Sequence, residues 1–334
     1  TRYGARTQTH EGPQRQKETR RVIQFLGVPY ARPPIGALRF EAAQPADWTG
    51  TVTSALQTVN CLQPGDGESS ASSEDCLYLN IFTPAARVGP AHLQNPFVSL
   101  KCSSFTPGLL DGSALAAMGN IVVVTASYRT AALGFLRASG LRGNFGLTDQ
   151  EAVLRWVNAY IPLVGGDYNR VTVGAERGGA DITSLHLLSK PRPLFHSPLL
   201  QGGSVFSPSL VQTSASARRR ALDLAQELGC VTSDSTDEKL VSCLRAAPYR
   251  DLNAAQTKVR PSPDSEVLLE LVFGAPLYSQ RFTSSDRRLS LAAMSYVSSF
   301  IRTGSDLCLC LETTHAPTET HGSPFLAEIR TRGP

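Results

Sequence analysis

The sequence predicts an α/β fold built around a mostly parallel central sheet, and three observations point to it. Residues 119–127, Gly-Asn-Ile-Val-Val-Val-Thr-Ala-Ser, are a continuous β-branched run suited to a strand buried on both faces. Residues 149–160 set Val153, Leu154 and Val157 on one face of a helix. Residues 171–173 read as the end of a second buried strand, joined by a tight glycine-containing turn to a helix over 181–188. Strand, helix and strand in succession imply a parallel pair with a right-handed crossover.

Bulk properties narrow the function. The 334 residues could fill one large α/β domain or two smaller ones. Apolar residues make up 41% and charged residues 18%, as in a soluble globular protein. A net charge of +4, scattered along the chain, excludes nucleic acid as the expected partner. No run of 18 apolar residues is present, so no membrane span is expected. The chain begins Thr1-Arg2-Tyr3, without initiator methionine or signal peptide. It is expected to be a piece of a longer protein or an incomplete gene product.

Taken in order, residues 1–21 are polar and basic and are expected to be a flexible leader. Residues 25–36, Phe-Leu-Gly-Val-Pro-Tyr-Ala-Arg-Pro-Pro-Ile-Gly, follow an extended path set by proline, and Leu38-Arg-Phe40 continues it. Residues 76–82 alternate like a sheet strand. Helices are expected over 217–228 and over 285–302, the second capped by serine and stopped at Gly304. Residues 22–259 and 271–304 are therefore assigned to one domain, with a proline-rich join at 260–270 and an irregular tail at 305–334.

Of seven cysteines, Cys61 and Cys76 bound one hydrophilic loop, and Cys230 and Cys243 bound another. Such loops look like surface disulfides of a secretory protein; four reduced thiols are the alternative. Cys102, Cys308 and Cys310 have no evident partners, and Cys308-Leu-Cys310 is too short a spacing for a zinc knuckle. No metal or cofactor is expected.

The strand-turn-helix at 171–188 has the form of a nucleophile elbow, the G-x-S-x-G bend that lifts a serine above a sheet. Here Ala175 takes the place of the first glycine, Gly179 keeps the second, and Arg177 stands where the serine would be. A guanidinium stays protonated and cannot attack an ester. Two look-alikes, Gly67-Glu-Ser-Ser-Ala71 and Gly202-Gly-Ser-Val-Phe206, lack either a preceding strand or the second glycine. A base is equally hard to place. No histidine lies between His196 and His315, while His315 and His321 follow the last helix and His186 reads as a packing or surface residue.

Laid end to end, the segments resemble the cholinesterase/type-B carboxylesterase family, an α/β-hydrolase fold. Residues 25–36 and 38–40 carry the resemblance, with Glu74-Asp-Cys-Leu-Tyr-Leu-Asn80, residues 120–129, Gly143-Asn-Phe-Gly-Leu-Thr-Asp-Gln150 and Gly165-Gly-Asp167. It covers 22–259 and resumes over 272–304. Between Val259 and Leu271 relatives carry a long block, so the sheet is expected to be incomplete. The resemblance implies Cys61–Cys76 and Cys230–Cys243 disulfides and an Arg39–Glu74 ion pair beneath the first loop. Solvated charges are the alternative to that pair. It also places the family's oxyanion His-Gly-Gly-Gly run at residues 101–104, which here read Lys-Cys-Ser-Ser.

Within the family the likeness is to a branch without catalysis, the cholinesterase-like C-terminal domain of a thyroid prohormone. Such a domain supports folding, dimerisation and secretion through the endoplasmic reticulum. Its partners would be a second copy, as a homodimer, and upstream domains of the same prohormone. Residues 285–302 match one helix of the family's dimer bundle, and a plain core helix would look the same. Two other classes compete: a neuroligin-like adhesion module and an active carboxylic ester hydrolase.

Overall fold

Among the described residues, seven strands form one sheet in the order β1-β2-β5-β7-β6-β8-β9, with a separate two-stranded piece β3-β4. The structure is a computed structural model and describes residues 6–11, 19–47, 59–65, 72–85, 93–101, 111–138, 140–188, 194–207, 210–231, 236–259, 273, 277 and 282–303. The strands are β1 Arg6–Glu11, β2 Thr19–Pro29, β3 Asn60–Cys61, β4 Ser72–Ser73, β5 Tyr78–Pro84, β6 Pro96–Lys101, β7 Val122–Ser127, β8 Thr172–Glu176 and β9 Ser197–Gln201. The run β7-β6-β8-β9 is parallel, and β1, β2 and β5 join it through antiparallel pairings. The helices are α1 Ser113–Gly119, α2 Ala131–Phe135, α3 Phe145–Tyr160, α4 Gly178–Ser184, α5 Ser214–Glu227, α6 Asp237–Ala246, α7 Tyr249–Val259 and α8 Ser284–Thr303.

The β-branched run behaves as its composition demands. Val122 and Val124 pack into the core on one face of the sheet, and Val123 packs into the core on the other. Phe97 and Val98 of β6 divide in the same way. The first core is covered by α3 through Val153, Leu154 and Val157. The second is covered by α1 and by Met294 and Ile301 of α8. A third cluster lies away from the sheet, where α5, α6 and α7 bury Leu224, Leu240, Leu244 and Leu252 against Phe40 and Phe145.

Several expectations need correction. β7 and β8 are parallel but not paired, because β6 lies between them. The polar N-terminal stretch supplies β1 and the start of β2, whose register runs from Arg6↔Gln24 to Glu11↔Thr19. An edge strand draws its hydrogen bonds from the backbone, so a lack of apolar residues does not forbid it. α8 is capped by Thr283, not by serine: Asp286 N–H donates to Thr283 Oγ1 at 3.2 Å, and Thr283 N–H donates to the Asp286 carboxylate at 2.8 Å. That reciprocal exchange is a capping box. The join at 260–270, Gly304 and the tail at 305–334 lie outside the described residues.

α8 is held across the chain at its C-terminal end. Asn95 Nδ2 donates to Ile301 O at 2.7 Å and to Arg302 O at 3.2 Å, and Arg302 donates to Gly119 O. Helix ends leave carbonyls without partners, and these contacts supply them. α8 turns Ser290, Met294, Ser298 and Ile301 inward. Among the described residues, no helix is long and apolar enough to cross a membrane.

Candidate functional site

The site is built from the C-terminal end of β8. This strand sits between β6 and β9, with Gly174 level with Ser99 and with Leu199. A Cβ on Gly174 would lie 2.5 Å from the Phe97 ring, so the strand runs here without a side chain. Arg177 follows with φ 50° and ψ −127°, a region in which a residue bearing a Cβ is strained. Its N–H donates to Gln201 O at 2.7 Å, and its carbonyl accepts from Asp181 N–H at 3.0 Å. α4 starts at the next residue.

The loop leaving β9 clamps this bend. A Cβ on Gly203 would come within 2.3 Å of the Arg177 carbonyl oxygen, so only glycine allows the approach. Asp181 Oδ1 accepts from Ser204 N–H at 2.8 Å and from the Ser207 hydroxyl. The bend thus has the backbone of an elbow and presents its central side chain to solvent. That side chain is Arg177.

Among the described residues, two imidazoles have hydrogen-bond partners away from Arg177. His196 accepts from Val171 N–H at 3.2 Å, at the opposite end of β8. The five residues of β8 separate Val171 from Arg177, roughly 20 Å. His186 is buried behind α4, its Nε2 3.0 Å from Gln150 Oε1 of α3. Burial lowers its pKa from the ordinary 6.5, with Glu151 pulling the other way. Ser204 Oγ accepts from Phe206 N–H at 3.2 Å in the loop after β9. The Gly67–Ala71 look-alike, residues 102–104, His315, His321, Cys102, Cys308 and Cys310 lie outside the described residues.

Among the described residues, two ion pairs are buried. Arg39 meets Glu74 through two parallel hydrogen bonds of 2.6 Å, and both side chains are 7% exposed. Arg129 meets Asp149 at 2.8 and 2.7 Å, its own N–H donating to the same carboxylate at 3.0 Å. The Arg129 guanidinium also lies 5.5 Å from the Phe145 ring centroid. Burial holds the Asp149 carboxyl above its ordinary value, against the downward pull of Arg129. Disulfides join Cys61 to Cys76 and Cys230 to Cys243. They are less superficial than their hydrophilic loops suggest, since Cys61, Cys76 and Cys230 are buried. Closing loops of this length stabilises by about 3 kcal/mol each.

A family model described as the carboxylesterase family matches residues 9–269. The chain belongs to the carboxylesterase family. It is similar to thyroglobulin of Bos taurus, 46% identical over 248 residues, which are 71% of this chain and 9% of that protein. Thyroglobulin of Homo sapiens is 44% identical over 249 residues, 72% of this chain and 9% of that protein. The chain thus matches less than a tenth of the length of these curated relatives. The match takes in part of the polar N-terminal stretch and most of the 260–270 join, and it stops short of residues 272–304, where the resemblance is expected to resume.

Sequence reasoning missed the Arg129–Asp149 pair, although both residues stand in the carboxylesterase-like motifs. Their 20-residue separation carries no periodic signal. It also missed α6, which begins inside the second cysteine loop. There the signal was present: Thr236 accepts from Lys239 N–H at 3.4 Å, and Asp237 and Glu238 fill the first turn.

Proposed function

We propose that this chain is a catalytically inactive cholinesterase-like domain that supports folding, self-association and secretion of a thyroglobulin-like prohormone. The observation that carries the reading is Arg177 at the elbow bend, where ester cleavage needs an attackable hydroxyl beside an imidazole. Similarity to thyroglobulin supports the kind of protein involved, and two disulfides support passage through an oxidising compartment. Upstream domains of the same prohormone are the proposed intramolecular partners.

Self-association is assigned to α8. Leu289, Ala293, Tyr296 and Phe300 follow a 4-3-4 spacing and are half-exposed. They lie roughly a third of a turn from the stripe that α8 buries. A second copy offering the same stripe would cover them by coiled-coil-like packing.

Incubating the chain with a short-chain aryl ester tests the inactive reading. The expected result is no release above the buffer rate. Turnover abolished by a serine-directed organophosphate would overturn it. Sedimentation of the chain and of Ala293→Arg tests the association surface, with a dimer expected for the first and a monomer for the second. A monomeric parent chain would remove α8 as the contact.

A further inference from the structure

We propose that Arg39 is a joint through which the two disulfide-closed loops support each other's closure. The guanidinium reaches both at once. Nε and Nη2 take Glu74, two residues before Cys76. Nη1 donates to Arg245 O at 2.8 Å, to Leu244 O at 3.3 Å and to Ala247 O. These carbonyls end α6, and Cys243 belongs to the same turn, since its own carbonyl accepts from Ala247 N–H at 2.9 Å.

The contact is returned from the other side. Arg245 Nη1 donates to Ala37 O at 2.9 Å, and Nη2 pairs with Glu41. Each arginine therefore fixes the backbone that carries the other. Cys61, Cys76, Arg39, Glu74 and Leu62 line one crevice, so the first disulfide and the joint share their packing. A buried guanidinium that loses half its acceptors is strongly penalised, so loosening α6 withdraws support from Glu74, and the reverse also holds. Lysine in place of Arg39 keeps a charge opposite Glu74 but lacks the planar fork needed to span both sides.

Timed reduction of the 334-residue chain by dithiothreitol, with alkylation and mass spectrometry, tests the joint. In each step the disulfide gains two electrons and two protons and becomes two thiols, while the reductant closes to its cyclic disulfide. Replacing both Cys230 and Cys243 by serine should speed reduction of Cys61–Cys76 about tenfold when Arg39 is present, and less than about twofold in Arg39→Lys. An equal acceleration in both backgrounds would overturn the joint. If Arg39→Lys does not fold, the unmodified chain decides the matter. Selective reduction of Cys230–Cys243, whose Cys243 is half-exposed, should raise amide exchange across residues 74–78 about tenfold. Unchanged exchange there refutes the proposal. Neither result depends on whether the domain cleaves esters.

Discussion

Arg129 and Arg177 carry the same guanidinium in opposite settings. Arg129 is 3% exposed and holds Asp149, a backbone carbonyl and an aromatic face, so its position is set by partners on several elements. Arg177 is exposed, and its backbone is held by a strained φ, two main-chain hydrogen bonds and a glycine pressed against its carbonyl. The difference separates scaffold from chemistry. Side chains that hold the hydrolase frame are locked by desolvation and pairing, whereas the bend of the elbow is fixed by main-chain contacts.

The comparison breaks most sharply at Arg129. Arg129→Met should cost about 3 to 5 kcal/mol, because it strands the buried Asp149 carboxylate. Adding Asp149→Leu should recover a large part of that loss. Urea midpoints measure both, and a single substitution costing under about 1 kcal/mol would mean that the pair holds little. Next in size is joint replacement of Cys61 and Cys76 by serine, expected to lower stability by about 3 kcal/mol on the same measure.

At the elbow the sign reverses. Arg177→Gly should raise stability by on the order of 1 kcal/mol by releasing the positive φ, visible as a higher melting temperature. A loss would show that contacts of the arginine side chain outweigh the backbone strain. Arg177→Ser should keep the fold and give no ester turnover, since His186 and His196 are engaged with Gln150 and Val171.

The smallest effect is a pH dependence at His186. Its folded pKa lies below the unfolded value of 6.5, so the unfolded chain takes up the proton first. The His186 contribution is whole above pH 6.5 and is lost as pH falls toward the lower folded value. His186→Gln should flatten this part of the stability profile in urea titrations at successive pH values.

How much could be read in advance depended on local patterning. α3 and α8 were legible because each is long enough to display its period, β7 because its β-branched run is continuous, and β8 because a glycine-containing turn ends it. α1 was not: Ser-Ala-Leu-Ala-Ala-Met-Gly is buried on nearly every side, so no amphipathic stripe marks it. β9 is short and contains Pro198, and its strand character comes from pairing with β8. The strand, turn and helix around Arg177 were legible, because a bend between strand and helix has a local sequence signature. The Arg129–Asp149 pair and the Arg39 contacts to α6 join positions 20 and more than 200 apart, where only the fold brings them together.

The fastening of α8 also orders events during synthesis. Arg302 and Gly119 lie 183 residues apart, so one face of the sheet waits for its cover until almost the whole described chain has left the ribosome. At about 5 to 20 residues per second the delay is about 10 to 40 s. Throughout it Phe82, Phe97 and Leu115 have no α8 above them. Nascent chains of this protein thus offer chaperones a greasy surface that the finished molecule conceals.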